Sequence, residues 1–143
     1  MQRVIKLSRA EMLDMLETGL PAQRKFAIIS INDNVEDAEL VKALVEMNNP
    51  TVEELATIVH PDDCHTSFRG HVENIQNLLD KIKNTDTILI VHCWAGISRS
   101  AAVAKFAEEY LDVPIPQLLH YKLYNNVIYN TLKREIPIPY LKV

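Results

Sequence analysis

The sequence predicts an α/β domain: a central, mostly parallel sheet flanked by helices. Two apolar runs rich in β-branched residues, Lys25-Phe26-Ala27-Ile28-Ile29-Ser30-Ile31 and Thr87-Ile88-Leu89-Ile90-Val91, have the length of buried strands. Between and around them, apolar residues recur at helical spacing, most clearly at Val72, Ile75, Leu78, Leu79 and Ile82. Strands that alternate with helices pair in parallel, because each crossover helix returns the chain to the same end of the sheet. At 143 residues the chain is expected to form one domain, 1–143, large enough to bury a core.

Taken in order, Val4 to Leu7 is the first short strand. Ser8-Arg9-Ala10-Glu11 has the form of a capping box, and the helix it opens carries Met12, Leu13 and Leu16 before Gly19-Leu20-Pro21 stops it. The run 25–31 is the next strand. Asn32-Asp33-Asn34 turns it into a helix holding Ala38, Leu40, Val41, Leu44 and Val45, which ends near Asn48-Asn49-Pro50. Thr51-Val52-Glu53-Glu54 looks like a helix start, whereas Ala56-Thr57-Ile58-Val59 reads as a strand. After the loop His60-Pro61-Asp62-Asp63-Cys64-His65, the amphipathic helix is capped by Thr66 or Ser67. The run 87–91 is the central strand, and Ala101 to Ala107 begins a buried helix ending at Asp112-Val113-Pro114. Two more helical stretches, roughly Pro116 to Tyr124 and Asn126 to Glu135, lead to an extended tail, Pro137-Ile138-Pro139.

The chemistry concentrates in Val91-His92-Cys93-Trp94-Ala95-Gly96-Ile97-Ser98-Arg99-Ser100, where a cysteine is followed by five residues, an arginine and a hydroxyl. A strand that turns sharply into a helix gathers backbone N–H groups and the positive end of the helix dipole at one spot. Cys93 sits at the rim of that anion cradle, and Arg99 can close it with a two-point fork. The combination is a phosphate site with a nucleophile in it. His92-Cys93-x5-Arg99-Ser100 resembles the His-Cys-x5-Arg-Ser/Thr loop of the cysteine-dependent protein tyrosine and dual-specificity phosphatases, and most of all their compact bacterial and phage-type members. A bare Cys-x5-Arg is weak; the preceding His92, the mid-loop Gly96, the following Ser100 and the strand-to-helix setting strengthen it.

The resemblance implies a dual-specificity-phosphatase-like fold and assigns roles. Cys93 is the nucleophile. Arg99 binds the phosphate and stabilises the equatorial oxygens of the transition state. Trp94, Ala95, Gly96, Ile97, Ser98, Arg99 and Ser100 form the phosphate-binding loop, with Gly96 letting the backbone approach the phosphate and Ser100 supplying a hydroxyl to Cys93. His92 braces the loop; as a general base it is disfavoured, because its side chain leaves the strand on the face opposite Cys93. The family's general acid is an aspartate on a loop about thirty residues before the cysteine. Asp62 and Asp63 lie 31 and 30 positions upstream of Cys93, and relatives with a paired acid usually use the second, which favours Asp63 over Asp62. Strand is accordingly the preferred reading of Ala56 to Val59. The implied mechanism needs no metal or organic cofactor.

Other readings compete. His60, Cys64, His65 and His71 form a possible metal cluster, although their spacing matches no common zinc pattern. Cys64 beside Asp63 raises a redox pairing with Cys93. Trp94 is either a pocket wall or scaffold packing, and Tyr110, Tyr121, Tyr124 and Tyr129 read as helix packing. The net charge of -4, with dispersed basic residues, gives no general attraction to nucleic acid or anionic membranes. No apolar run approaches a membrane span, no secretory signal opens the chain, and two cysteines suit the reducing cytoplasm. The uncharged Trp94, Ala95 and Ile97 argue against a polyanionic phosphoinositide. A phosphorylated protein or small phosphomonoester is the expected substrate and a monomer the expected state. A non-catalytic phosphate-binding module and a sulfurtransferase that carries sulfur on Cys93 are the alternatives.

Overall fold

The computed structural model describes residues 1–62 and 67–138. Within them the chain forms an α/β domain around one four-stranded sheet with five α-helices. The elements run β1 (Val4–Ser8), α1 (Arg9–Thr18), β2 (Phe26–Asn32), α2 (Val35–Asn48), β3 (Val52–Val59), α3 (Val72–Ile82), β4 (Ile88–Cys93), α4 (Arg99–Leu111) and α5 (Asn126–Glu135). The strand order is β1-β4-β2-β3, and every neighbouring pair is parallel. The two most apolar runs, β2 and β4, are the central pair, and all their residues are buried. A strand covered on both faces has no reason to alternate.

Two apolar layers cover the two faces. One packs α1 and α2, through Met12, Leu16, Val41 and Val45, against Phe26, Ile28, Ile88 and Ile90. The other sets α3, α4 and α5 against Ala27, Ile29, Ile31, Leu89, Val91 and Cys93. Helix α4 is buried nearly all round, and Ala101, Ala102, Ala104 and Ala107 are fully buried, small enough to let the helix lie close to the sheet. Among the described residues no helix is long and apolar enough to cross a membrane.

Local chemistry sets several boundaries as the sequence predicts. Ser8 and Glu11 form the reciprocal capping box of α1, Asn34 caps α2 through the Asp37 amide, and 52–59 is a strand. The expected parallel sheet is present, and two other expectations change. Ser67 caps a short 3-10 turn, Phe68–His71, and α3 starts only at Val72; Thr66 lies outside the described residues. Pro116 to Tyr124 is not a helix, and only Leu118–Tyr121 makes a 3-10 turn. Tertiary anchors override the helical spacing there. The Gln117 amide donates to the Glu108 carboxylate at 3.1 Å, and the Asn125 amide donates to the Ser98 carbonyl at 3.0 Å. These bonds stretch the connection between α4 and α5 across the domain. Tyr110, Tyr121 and Tyr129 are buried in the packing of these helices, as expected.

Candidate functional site

A cleft of about 340 Å³ opens at the carboxyl ends of the strands, lined by Asp33, Asp62, Cys93, Trp94, Ala95, Ile97, Ser98 and Arg99. This is where parallel sheets place ligands, because the strand-to-helix turns meet there. Strand β4 delivers Cys93, β2 delivers Asp33 one residue past its end, and β3 delivers Asp62. Cys93 is buried, and its Sγ lies 3.1 Å from Ser100 Oγ in the first turn of α4. Helix α4 has no side-chain cap at Ser98, so its leading amides are left to whatever occupies the cleft.

Arg99 is the first residue of α4 and is almost fully buried. One of its terminal nitrogens, Nη1, donates to Asp33 Oδ1 at 2.8 Å and to the His60 carbonyl at 2.7 Å. Its Nε stands 3.5 Å from Asp62 Oδ1. The guanidinium is therefore fixed through one nitrogen while its Nε edge faces a carboxylate that is two-thirds exposed. A buried arginine without such partners would cost several kcal/mol.

The turn between β4 and α4 is tied to the β1–α1 junction. The Arg9 amide donates to the Trp94 carbonyl at 3.1 Å, and Lys6 Nζ donates to the Gly96 carbonyl. Gly96 has φ +72, and a Cβ built on it would lie 2.6 Å from the Ser8 amide nitrogen and 2.8 Å from the Leu7 carbonyl carbon. The space a side chain would need is filled by β1, so the close approach that requires glycine is to the scaffold rather than to the phosphate. Gly96→Ala combines a left-handed backbone with a backbone clash, and should lower stability by roughly 2–4 kcal/mol in urea unfolding.

His92 points away from the cleft, as strand alternation requires. It is fully buried on the α1–α2 face, its Nε2 is 2.6 Å from Ser30 Oγ, and burial depresses its pKa to about 4. A ring that stays neutral on the opposite face from the thiol cannot serve it as a base. Trp94 is exposed, lines the cleft and stands 5.9 Å from the Arg9 guanidinium, so it is a wall of the cleft. Ser100 reaches the cleft only through Cys93, and neither Ser100 nor Gly96 lines it.

No protein-family model matches this chain, and no curated protein matches it.

Asp63, the favoured acid, lies outside the described residues, as do Cys64 and His65; Asp62 lines the cleft. Among the described residues no three potential metal ligands cluster. His60 and His71 instead pack edge-to-face, with centroids 5.6 Å apart, and both meet Phe68, at 5.0 and 5.2 Å. Burial pushes the His60 pKa down, with smaller contributions from the charges of His71 and Arg99, and burial also lowers that of His71. Sequence reasoning passed over Asp33 as a turn residue. Its signal was available: an acidic residue just beyond the carboxyl end of a buried strand in a parallel sheet. The tie from Lys6 to the loop had no signal in the sequence.

Proposed function

We propose that this chain is a phosphomonoester hydrolase of the tyrosine or dual-specificity protein phosphatase type, working through a phosphocysteine on Cys93. The observation that carries the reading is the juxtaposition, in one cleft at the start of α4, of Arg99 and of Cys93, whose Sγ is backed by Ser100 Oγ at 3.1 Å. In the first step Cys93 Sγ forms a bond to phosphorus as the P–O bond to the alcohol or phenol breaks, and an aspartic acid gives the departing oxygen its proton. In the second, water attacks the phosphocysteine, the same carboxylate takes a proton from that water, and the S–P bond breaks to release phosphate and the thiolate. Arg99, held at Nη1, offers Nε and Nη2 to the equatorial oxygens, and an entering phosphate displaces Asp62 from the Nε edge. The Ser100 hydroxyl donates to the sulfur when it leaves. These steps balance without a metal or organic cofactor. The substrate is a phosphorylated protein or small phosphomonoester, and the two cysteines suit a reducing cytoplasm.

The acid comes from the Asp62–Asp63 pair. Hydrolysis of p-nitrophenyl phosphate across pH by wild type, Asp62→Asn, Asp63→Asn and Asp33→Asn tests both the activity and the assignment. The variant lacking the acid should lose about 10²- to 10⁴-fold in kcat, together with the alkaline limb of its pH profile. Asp33→Asn keeps a carbonyl for Arg99 Nη1 and should cost no more than about tenfold. A wild type that binds vanadate yet turns over no substrate would make the chain a phosphate-reading module instead.

A further inference from the structure

Four buried polar side chains run in a line under the β4–α4 turn, through a layer that is otherwise apolar. Arg9, Asn32, Ser30 and His92 are 8%, 2%, 0% and 0% exposed. Apolar residues would fill these places without the desolvation cost of roughly 1–3 kcal/mol for each polar group left unbonded. Their bonding has a direction. Arg9 Nη1 donates to Asn32 Oδ1 at 3.1 Å, while the Arg9 guanidinium is itself held by the Asp37 carbonyl and carboxylate. On its other side the Asn32 amide meets the carbonyls of Ser30 and Ile58, at 3.0 and 3.3 Å, and Ser30 Oγ at 2.9 Å. A flipped amide would set donor against guanidinium and oxygen against two carbonyls, so Nδ2 is the atom on the Ser30 side. Ser30 Oγ thus accepts from Asn32. Its own proton has one place left to go, His92 Nε2 at 2.6 Å.

We infer that Arg9, Asn32 and Ser30 are a one-way hydrogen-bond relay that holds His92 as the Nδ1–H tautomer and so makes it a positioning residue for the turn carrying Cys93. Nδ1 is the end of the line. Among the described residues it has no hydrogen-bond partner; the Cys93 backbone favours a proton on the ring, against the larger opposing effect of burial. The opposite tautomer would strand the Ser30 proton between two donors, Asn32 Nδ2 and His92 Nε2. Arg9 adds a second tie, since its amide holds the Trp94 carbonyl on the far side of Cys93. The relay thus grips the turn on both flanks of the thiol. Because burial keeps His92 neutral, the relay works unchanged at neutral pH. The consequence for catalysis rests on the phosphatase reading; the tautomer does not.

The experiment is a long-range proton–nitrogen NMR correlation of the His92 ring in ¹⁵N-labelled protein at neutral pH, paired with kcat on p-nitrophenyl phosphate. The wild type should carry its proton on Nδ1. Asn32→Asp replaces the donor with a carboxylate that draws the Ser30 hydroxyl to itself, so the proton should move to Nε2 and kcat should fall about tenfold, the loss of one hydrogen bond. Ser30→Ala should give a mixture of tautomers, and Ser30→Thr should restore the wild-type spectrum and rate. These two variants carry the test if Asn32→Asp does not fold. A wild-type ring protonated on Nε2, or a tautomer indifferent to the Asn32 and Ser30 substitutions, overturns the relay. A relay that behaves as stated in a protein without hydrolytic activity leaves the inference standing and removes the phosphatase reading.

Discussion

Cys93→Ser should hydrolyse p-nitrophenyl phosphate at no more than about one ten-thousandth of the wild-type rate, while still binding vanadate or phosphate. Among the described residues no base is hydrogen-bonded to this position. The polar atom beside the sulfur is Ser100 Oγ at 3.1 Å, another hydroxyl, and His92 is spent on the far face of the sheet against Ser30. A serine nucleophile needs an adjacent base, and the groups bonded to this position supply none. Oxygen replaces sulfur with little change of volume in a buried site, so the variant should unfold within a few degrees of wild type. Retained binding with lost turnover, measured by calorimetry and by a chromogenic assay on the same preparation, separates chemistry from folding. Hydrolysis that survives the substitution would place the nucleophile elsewhere.

Arg99→Lys should lower kcat/KM by about 10³-fold or more, the scale attached to removing an arginine that stabilises a phosphoryl transition state. The geometry explains why charge alone does not suffice. Nη1 is engaged with Asp33 Oδ1 and the His60 carbonyl, leaving the remaining edge of the plane for the phosphate. A lysine has one nitrogen at the end of a flexible stem. It can satisfy Asp33 and the His60 carbonyl, or it can reach the phosphate, but it cannot do both. Because residue 99 is almost wholly buried, some stability should be lost as well, so the comparison with thermal unfolding matters. A kcat/KM within tenfold of wild type would show that no planar two-point contact is used.

Much of this arrangement is legible in the chain. The strongly apolar character of β2 and β4 identifies the central strands, Ser8 and Glu11 mark the start of α1, and the spacing of Cys93, Gly96 and Arg99 marks the turn. What escaped notice depends on distant partners. Asp33 becomes a site residue because Arg99, 66 positions later, reaches back to it. The role of Gly96 could not be read locally, because the chain that crowds it is Leu7 and Ser8. The helical spacing of 116–124 was real but outweighed by anchors at Glu108 and Ser98. Ser30 and Asn32, polar residues in an apolar run, were a sign not taken up that this buried strand is bonded sideways to something specific.

The ring cluster of His60, Phe68 and His71 has a consequence for how this scaffold accepts change. It clasps the chain where it leaves β3 to the chain where it approaches α3, so the two ends of the intervening connection are joined independently of that connection's length. Doubling a loop whose ends are already held adds only about 0.6 kcal/mol of closure entropy. The sheet, Arg99 and Cys93 are therefore held in register independently of the length of chain between His60 and Phe68. The clasp separates the stability of the domain from the length of the chain that links β3 to α3.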